Sequence, residues 1–179
     1  MRARDLLLGF AALGAVAAGP APEGPPLSGT FAKRYRVIEE PTAAPAYAFQ
    51  DAEGREKALV EYGGRVVIAT FWATWCGVCA RELPKLDRLQ ARLGGEGLSV
   101  VALSQDAGLE RIRAWYAKRG IEHLEVNRDE GAVLGSILGI RGVPTSFVVD
   151  KRGRMVGVVQ GAAAWESPEA TALLRHYLD

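Results

Sequence analysis

An α/β fold, a mixed central sheet with helices covering both faces, is the architecture this sequence predicts. Three observations carry that prediction. Arg65–Trp72 (RVVIATFW) and Leu98–Ser104 (LSVVALS) are β-branched or aromatic runs with few polar residues, as strands buried on both faces are. Each is followed by a segment of helical spacing: Leu83, Leu86, Leu89 and Leu93 after the first, Leu109, Ile112 and Trp115 after the second. Late in the chain, Thr145–Val149 and Met155–Gln160 read as two strands joined by the turn-forming run Asp150-Lys151-Arg152-Gly153. Alternating strands and helices with one closing hairpin imply a sheet of mixed direction.

In chain order, the first segment reads as an address. Arg2 and Arg4 precede the apolar run Leu6–Ala18 (LLLGFAALGAVAA), with Asp5 inside the basic flank. Thirteen apolar residues suit a signal-peptide core and fall short of the ~20 that span a bilayer as a helix. Ala15-Val16-Ala17 and Val16-Ala17-Ala18 are small-residue cleavage sites. Residues 1–18 are thus expected to be a signal peptide or an uncleaved signal anchor, and the protein to be exported, in the periplasm. No cysteine lies there for lipid attachment. Residues 19–46 are expected to be a linker and lead-in. Gly19–Gly29 holds four prolines in eleven positions, and Pro41 and Pro45 break the segment after it.

The folded domain is expected over residues 47–179. Tyr47–Tyr62 reads as two short strands around Glu53-Gly54, an N-terminal β-hairpin. The first helix ends at Gly94-Gly95 and the second, after Asp106, at Gly120. A short strand is expected near Leu124–Val126 and a short helix across Ala132–Leu138, together a central strand–helix insertion. Ser167, Pro168 and Glu169 are an N-cap, a first-position proline and a first-turn acid for the closing helix.

The chain has 179 residues, of which roughly 150–160 would remain as one domain after leader removal. Twenty-two basic residues against 21 acidic leave a net charge of +1. That balance gives no nucleic-acid footprint and no broad basic surface, so a partner must be found by a local site.

The chemistry sits in TFWATWCGVCARELP (Thr70–Pro84), which contains the only two cysteines, Cys76 and Cys79. Cys76 falls at the seam between a buried strand and an amphipathic helix, in the helix's first turn. Backbone N–H groups lack partners there and the dipole is positive, which favours the thiolate. Cys79 lies one turn on, along the same face. The pair can close and reopen a disulfide, with Cys76 as the exposed attacking thiolate and Cys79 as the resolving thiol. A structural staple gains little from so short a loop. A zinc site needs four ligands, and His123 and His176 have no ligand spacing to the cysteines. Haem attachment needs histidine at position 80, which is alanine. We therefore expect neither a cofactor nor a resident metal. Copper(I) held by the two thiolates stays open as an alternative.

At WATWCGVCARELP (Trp72–Pro84) and GVPTSFVVD (Gly142–Asp150) the chain resembles the thioredoxin-like superfamily and, more narrowly, the TlpA/ResA-like thiol–disulfide oxidoreductases. The likeness runs from about Tyr47 to the C-terminus. It implies a thioredoxin-like fold in an exported, often membrane-tethered protein. It also implies that Pro144 is a cis-proline facing the cysteines, although X–Pro bonds are cis in only ~5–6% of cases. Val143 would then offer its backbone to an extended substrate chain. Glu82 matches an acid one turn past the second cysteine, placed to take or give that thiol's proton; on its own it is an early-helix acid that suits the dipole. Trp72 and Trp75 would wall the site. Gly77 and Val78, between the cysteines where glycine–proline is common, would border the bound substrate and tune the redox potential. Thr70 departs from the family's thioredoxins, which carry a buried aspartate there, and shifts weight to Glu82.

The expected activity is thus that of an exported protein-disulfide reductase working by CxxC exchange through a mixed disulfide. The resemblance implies client proteins with disulfides or paired thiols, in cytochrome c maturation or copper-site assembly. It also implies a membrane electron donor that re-reduces the pair, and a monomer tethered through its N-terminus. Alternatives are a disulfide oxidase and a copper(I) carrier. A peroxidase would want a lone peroxidatic cysteine with an activating threonine and arginine around it.

Overall fold

The computed structural model describes residues 24–179; the expected signal peptide lies outside the described residues. The elements run α1 (Gly29–Ala32), β1 (Tyr35–Ala43), β2 (Phe49–Gln50), β3 (Glu56–Lys57), β4 (Val66–Trp72), α2 (Cys79–Leu93) and β5 (Leu98–Ser104). They continue with α3 (Leu109–Arg119), β6 (Asn127–Arg128), α4 (Val133–Ile137), β7 (Thr145–Val149), β8 (Arg154–Gln160) and α5 (Pro168–Leu178). The sheet order is β1-β8-β7-β4-β5-β6-β2-β3. β4, β5 and β6 are parallel; β7, β8 and β1 follow one another antiparallel on one side, and β2 and β3 on the other.

The central strands are buried on both faces, as their composition requires. Along β4 the side chains alternate: Ile68 and Trp72 enter one core cluster, Val67, Ala69 and Phe71 the other. The first cluster lies under α2, α3 and α5, which contribute Leu83, Leu86, Leu89, Leu93, Ile112, Tyr116, Leu173 and Leu174. The second is covered by the short α4 and by the segment around Leu59. Helices therefore flank both faces, but unequally. The predicted caps hold. Ser167 Oγ accepts from Ala170 N–H at 3.2 Å, and Gly120 ends α3 in the left-handed region. The insertion strand lies at Asn127–Arg128, just past the expected Leu124–Val126.

The lead-in needs correction. Residues 30–46 are not a broken approach to the domain: Phe31 and Tyr35 are core residues, and β1 forms the sheet edge beyond β8. Pro41 is tolerated because an edge strand need not donate every N–H, and the register of β1 slips between Val37 and Thr42, around that proline. The Tyr35 ring lies across Gly157 on β8, where an added Cβ would stand 2.0 Å from Tyr35 Cζ. Gly157→Ala must therefore displace the tyrosine. We expect a loss of about 1–3 kcal/mol, read as a lower urea midpoint. An unchanged midpoint would mean that β1 contributes little to the fold.

Candidate active site

The site is built at the C-terminal end of β4, where the chain must turn from a buried strand into α2. Asp106, buried in the loop after β5, holds that turn. Its Oδ2 accepts from Thr74 N–H at 2.7 Å and from the Ser104 hydroxyl at 2.7 Å, and its Oδ1 from the Thr74 hydroxyl at 2.6 Å. Trp72 C=O accepts from Gln105 N–H at 2.9 Å, and Cys76 N–H donates to Ala73 C=O at 3.1 Å.

Cys76 stands just before α2 rather than in its first turn. Its C=O accepts from Ala80 N–H at 3.1 Å, as a capping residue's does. Cys79 N–H, one of the helix's unpaired donors, points at Cys76 Sγ at 3.1 Å. The two sulfurs are joined in a disulfide, with Cα atoms 5.2 Å apart. Once that bond opens, the same N–H and the helix dipole favour negative charge on Cys76. Burial separates the two roles: Cys79 is fully buried and Cys76 keeps 7% of its surface. Cys76 is thus far less exposed than the sequence suggests, yet it is the one sulfur an incoming group can reach. Gly77 and Val78 beside it are exposed.

Val143 and Pro144 face the pair across the site. Their peptide bond is cis, as the resemblance implies. Val143 C=O lies 3.6 Å from Cys76 Sγ, a contact rather than a hydrogen bond, since a disulfide sulfur carries no proton. Gly161 N–H donates to Pro144 C=O at 2.8 Å, and the Thr145 hydroxyl to Gly142 C=O at 2.7 Å, which fixes the loop.

The tryptophans divide. Trp75 is 72% exposed at the rim. Trp72 is fully buried, packed on Trp115 and Tyr116 at centroid distances of 4.7 and 5.6 Å. It supports the site from beneath and cannot touch a substrate. Its place in β4 is the reason: it shares the core-facing side of Ile68. Thr70, also buried, accepts from the Ser146 hydroxyl at 2.8 Å, so a neutral hydroxyl pair occupies the place of the absent aspartate.

Glu82 is 2% exposed on the core side of α2. Its Oε1 accepts from Ala163 N–H at 2.9 Å and from the Trp165 indole N–H at 3.0 Å; Oε2 has no partner among the described residues. Burial holds the carboxyl above the ordinary glutamate value of 4.5, against the opposing pull of those two donors and Lys85. A small cavity of about 130 Å³ lined by Val78, Arg81, Lys85 and Ala163 reaches Glu82. The partners Ala163 and Trp165 carry no signal in the sequence; nor does Asp106, beyond its position after a strand.

A carboxyl raised by folding keeps its proton to higher pH in the folded chain than in the unfolded one. The stability this carboxyl contributes is therefore fullest below about pH 4.5 and declines as pH rises toward the folded value. Glu82→Gln removes that decline. The urea midpoint of the variant, relative to the native protein, is expected to rise between pH 4 and pH 7. A gap constant with pH would deny the carboxyl this behaviour.

The chain matches the AhpC/TSA family over residues 41–158, more than half its length. It belongs to that family. Within the AhpC/TSA family its similarities point to thiol–disulfide oxidoreductases. It is 28% identical over 166 residues to the thiol-disulfide oxidoreductase ResA of Geobacillus thermodenitrificans, covering 93% of this chain and 89% of that protein. Identity to ResA of Bacillus cereus is 28% over 141 residues, covering 79% and 80%. A crystal structure described as a putative thiol:disulfide interchange protein DsbE from Chlorobium tepidum superposes with a TM-score of 0.71 at 27% identity. It covers 79% of this chain and 99% of that one. The TlpA/ResA-like resemblance and the thioredoxin-like fold are thereby borne out, and the protein is a thiol–disulfide oxidoreductase.

Proposed function

We propose that the protein is exported to the periplasm and reduces disulfides of client proteins there. The observation that carries this reading is the asymmetry of the pair: a Cys76 sulfur at the helix mouth, beside the Val143 carbonyl, over a fully buried Cys79. In the reduced protein the Cys76 thiolate attacks one client sulfur. The client S–S bond breaks, a Cys76–client disulfide forms, and the second client sulfur leaves as a thiolate that takes a proton. Cys79 then loses its proton, with Glu82 one turn along α2 as the acceptor, and attacks Cys76 Sγ. The Cys76–Cys79 bond forms and the client leaves with both cysteines reduced. Two electrons have moved to the client, so two must return to the pair, from a membrane electron donor. The leader supports export: residues 1–18 have the charge and length of a signal peptide or anchor. Among the described residues no helix is long and apolar enough to cross a membrane. A pneumococcal neighbour is described as an exposed lipoprotein thioredoxin. Clients with paired cysteines, such as apocytochrome c or copper-site proteins, fit the reaction.

The reduction potential of the pair, titrated against dithiothreitol and glutathione buffers, tests the direction. A value near the ~−270 mV of thioredoxin supports a reductase; one near ~−120 mV would make the protein an oxidase. Stoichiometric copper(I) binding without disulfide turnover would replace the enzymatic reading.

A further inference from the structure

A cleft of about 690 Å³ opens beside the disulfide, and its lining includes Val143 and Pro144 together with Arg36, Arg141, Gly142 and Gln160. Val143 C=O is the atom 3.6 Å from Cys76 Sγ, so the cleft begins where a client's cysteine must arrive. Its polar character is one-sided. Arg36 reaches in from β1 and Arg141 from the loop before β7, and no aspartate or glutamate lines it. The Arg34 guanidinium stands at the Gly161 rim, 3.7 Å from where a Cβ on that glycine would be. Elsewhere six arginines meet carboxylates: Arg55, Arg88, Arg113, Arg128, Arg154 and Arg175 all form ion pairs. Arg34, Arg36 and Arg141 form none among the described residues, and Arg36 donates only to the neutral Gln160 side chain at 3.0 Å. In a chain of net charge +1 this concentration is local, not a by-product of a basic protein.

We propose that this cleft selects clients carrying an acidic side chain close to the cysteine under attack, with Arg36 and Arg141 receiving the carboxylate. The inference rests on the oxidoreductase reading and adds a substrate class to it. An extended client advances ~3.3 Å per residue. Arg141 is two residues from Val143, so the acid belongs within about three residues of the client's cysteine. Guanidinium groups suit that ligand because they present paired donors to a carboxylate.

The test uses two synthetic peptides with an internal disulfide, identical except that one has glutamate and the other glutamine two residues from the cysteine. Single-turnover exchange with the reduced full-length protein is followed by quenching and mass spectrometry. We expect the glutamate peptide to react roughly five- to tenfold faster at low ionic strength. The ratio should fall toward one in 0.5 M salt, and in the Arg36→Gln/Arg141→Gln variant. The salt arm needs no variant and so does not depend on that variant's folding. Equal rates for the two peptides in the native protein would overturn the proposal. The same peptides offered as dithiols to the oxidised protein separate the two readings. Acid preference seen only in that direction would sink the reductase assignment and keep the acidic client. Equal peptide rates with tight binding to anionic vesicles would assign the arginines to a membrane surface and overturn the proposal.

Discussion

Cys79→Ser is expected to convert the protein into a covalent trap. Reduced Cys76 still attacks the client and forms the mixed disulfide, but the chain then holds no second thiol to resolve it, because Cys76 and Cys79 are its only cysteines. Catalytic turnover should be lost, and an adduct of protein and client should persist on a non-reducing gel until dithiothreitol is added. Cys76→Ser should behave differently. A serine hydroxyl is not ionised near neutral pH, and Cys79, fully buried, has no approach to a client sulfur. No adduct is expected, and turnover should fall by about a thousandfold or more. The contrast between the variants is the informative result. A general reactivity of thiols would give adducts from both, whereas the geometry at the head of α2 allows one. Adduct formation by Cys76→Ser at a rate comparable to Cys79→Ser would mean that the burial of Cys79 does not describe the reduced protein.

That asymmetry was only half legible in the sequence. Strand–helix periodicity placed the two cysteines at the end of β4, because unbroken β-branched runs and leucine spacing are strong local signals. Which sulfur is covered is a tertiary matter: Val143, from a loop 67 residues further along the chain, stands against Cys76, and Cys79 is the one fully buried. The tryptophans show the same boundary. Trp72 lies within the strand and faces the core with Ile68, while Trp75 lies beyond it and faces solvent. Reading both as walls of the site ignored the alternation along β4. The edge strand β1 was hidden because Pro41 reads as a breaker, and only the register slip against β8 shows how the sheet absorbs it. Glu82 was found through the resemblance. What makes it a buried acid is a pair of donors 81 and 83 residues away, beyond the reach of any periodicity.

Asp106→Ala is expected to have the largest effect on stability of any single change outside the cysteines at this end of the sheet. The carboxylate accepts three hydrogen bonds, two from Thr74 and one from Ser104, in a place only 5% exposed. Truncation leaves the Thr74 N–H and two hydroxyls to compete for what solvent reaches them. Hydroxyls can rotate toward other acceptors, but the N–H is fixed by the backbone and carries most of the penalty. The expected loss is about 2–4 kcal/mol, or roughly 5–15 °C in Tm for a domain of this size. Asp106→Asn should cost less, because the amide oxygen still accepts from Thr74 N–H and its NH₂ can donate to hydroxyls turned to receive it. Since Thr74 is two residues from Cys76, the alanine variant should also exchange disulfides more slowly well below its Tm. Thr74→Val makes the decisive comparison. It removes one hydroxyl bond, keeps the N–H bond, and should resemble Asp106→Asn. An Asp106→Ala protein as stable as the native one would show that the turn before Cys76 is held by the strand and helix on either side of it, with the carboxylate a bystander.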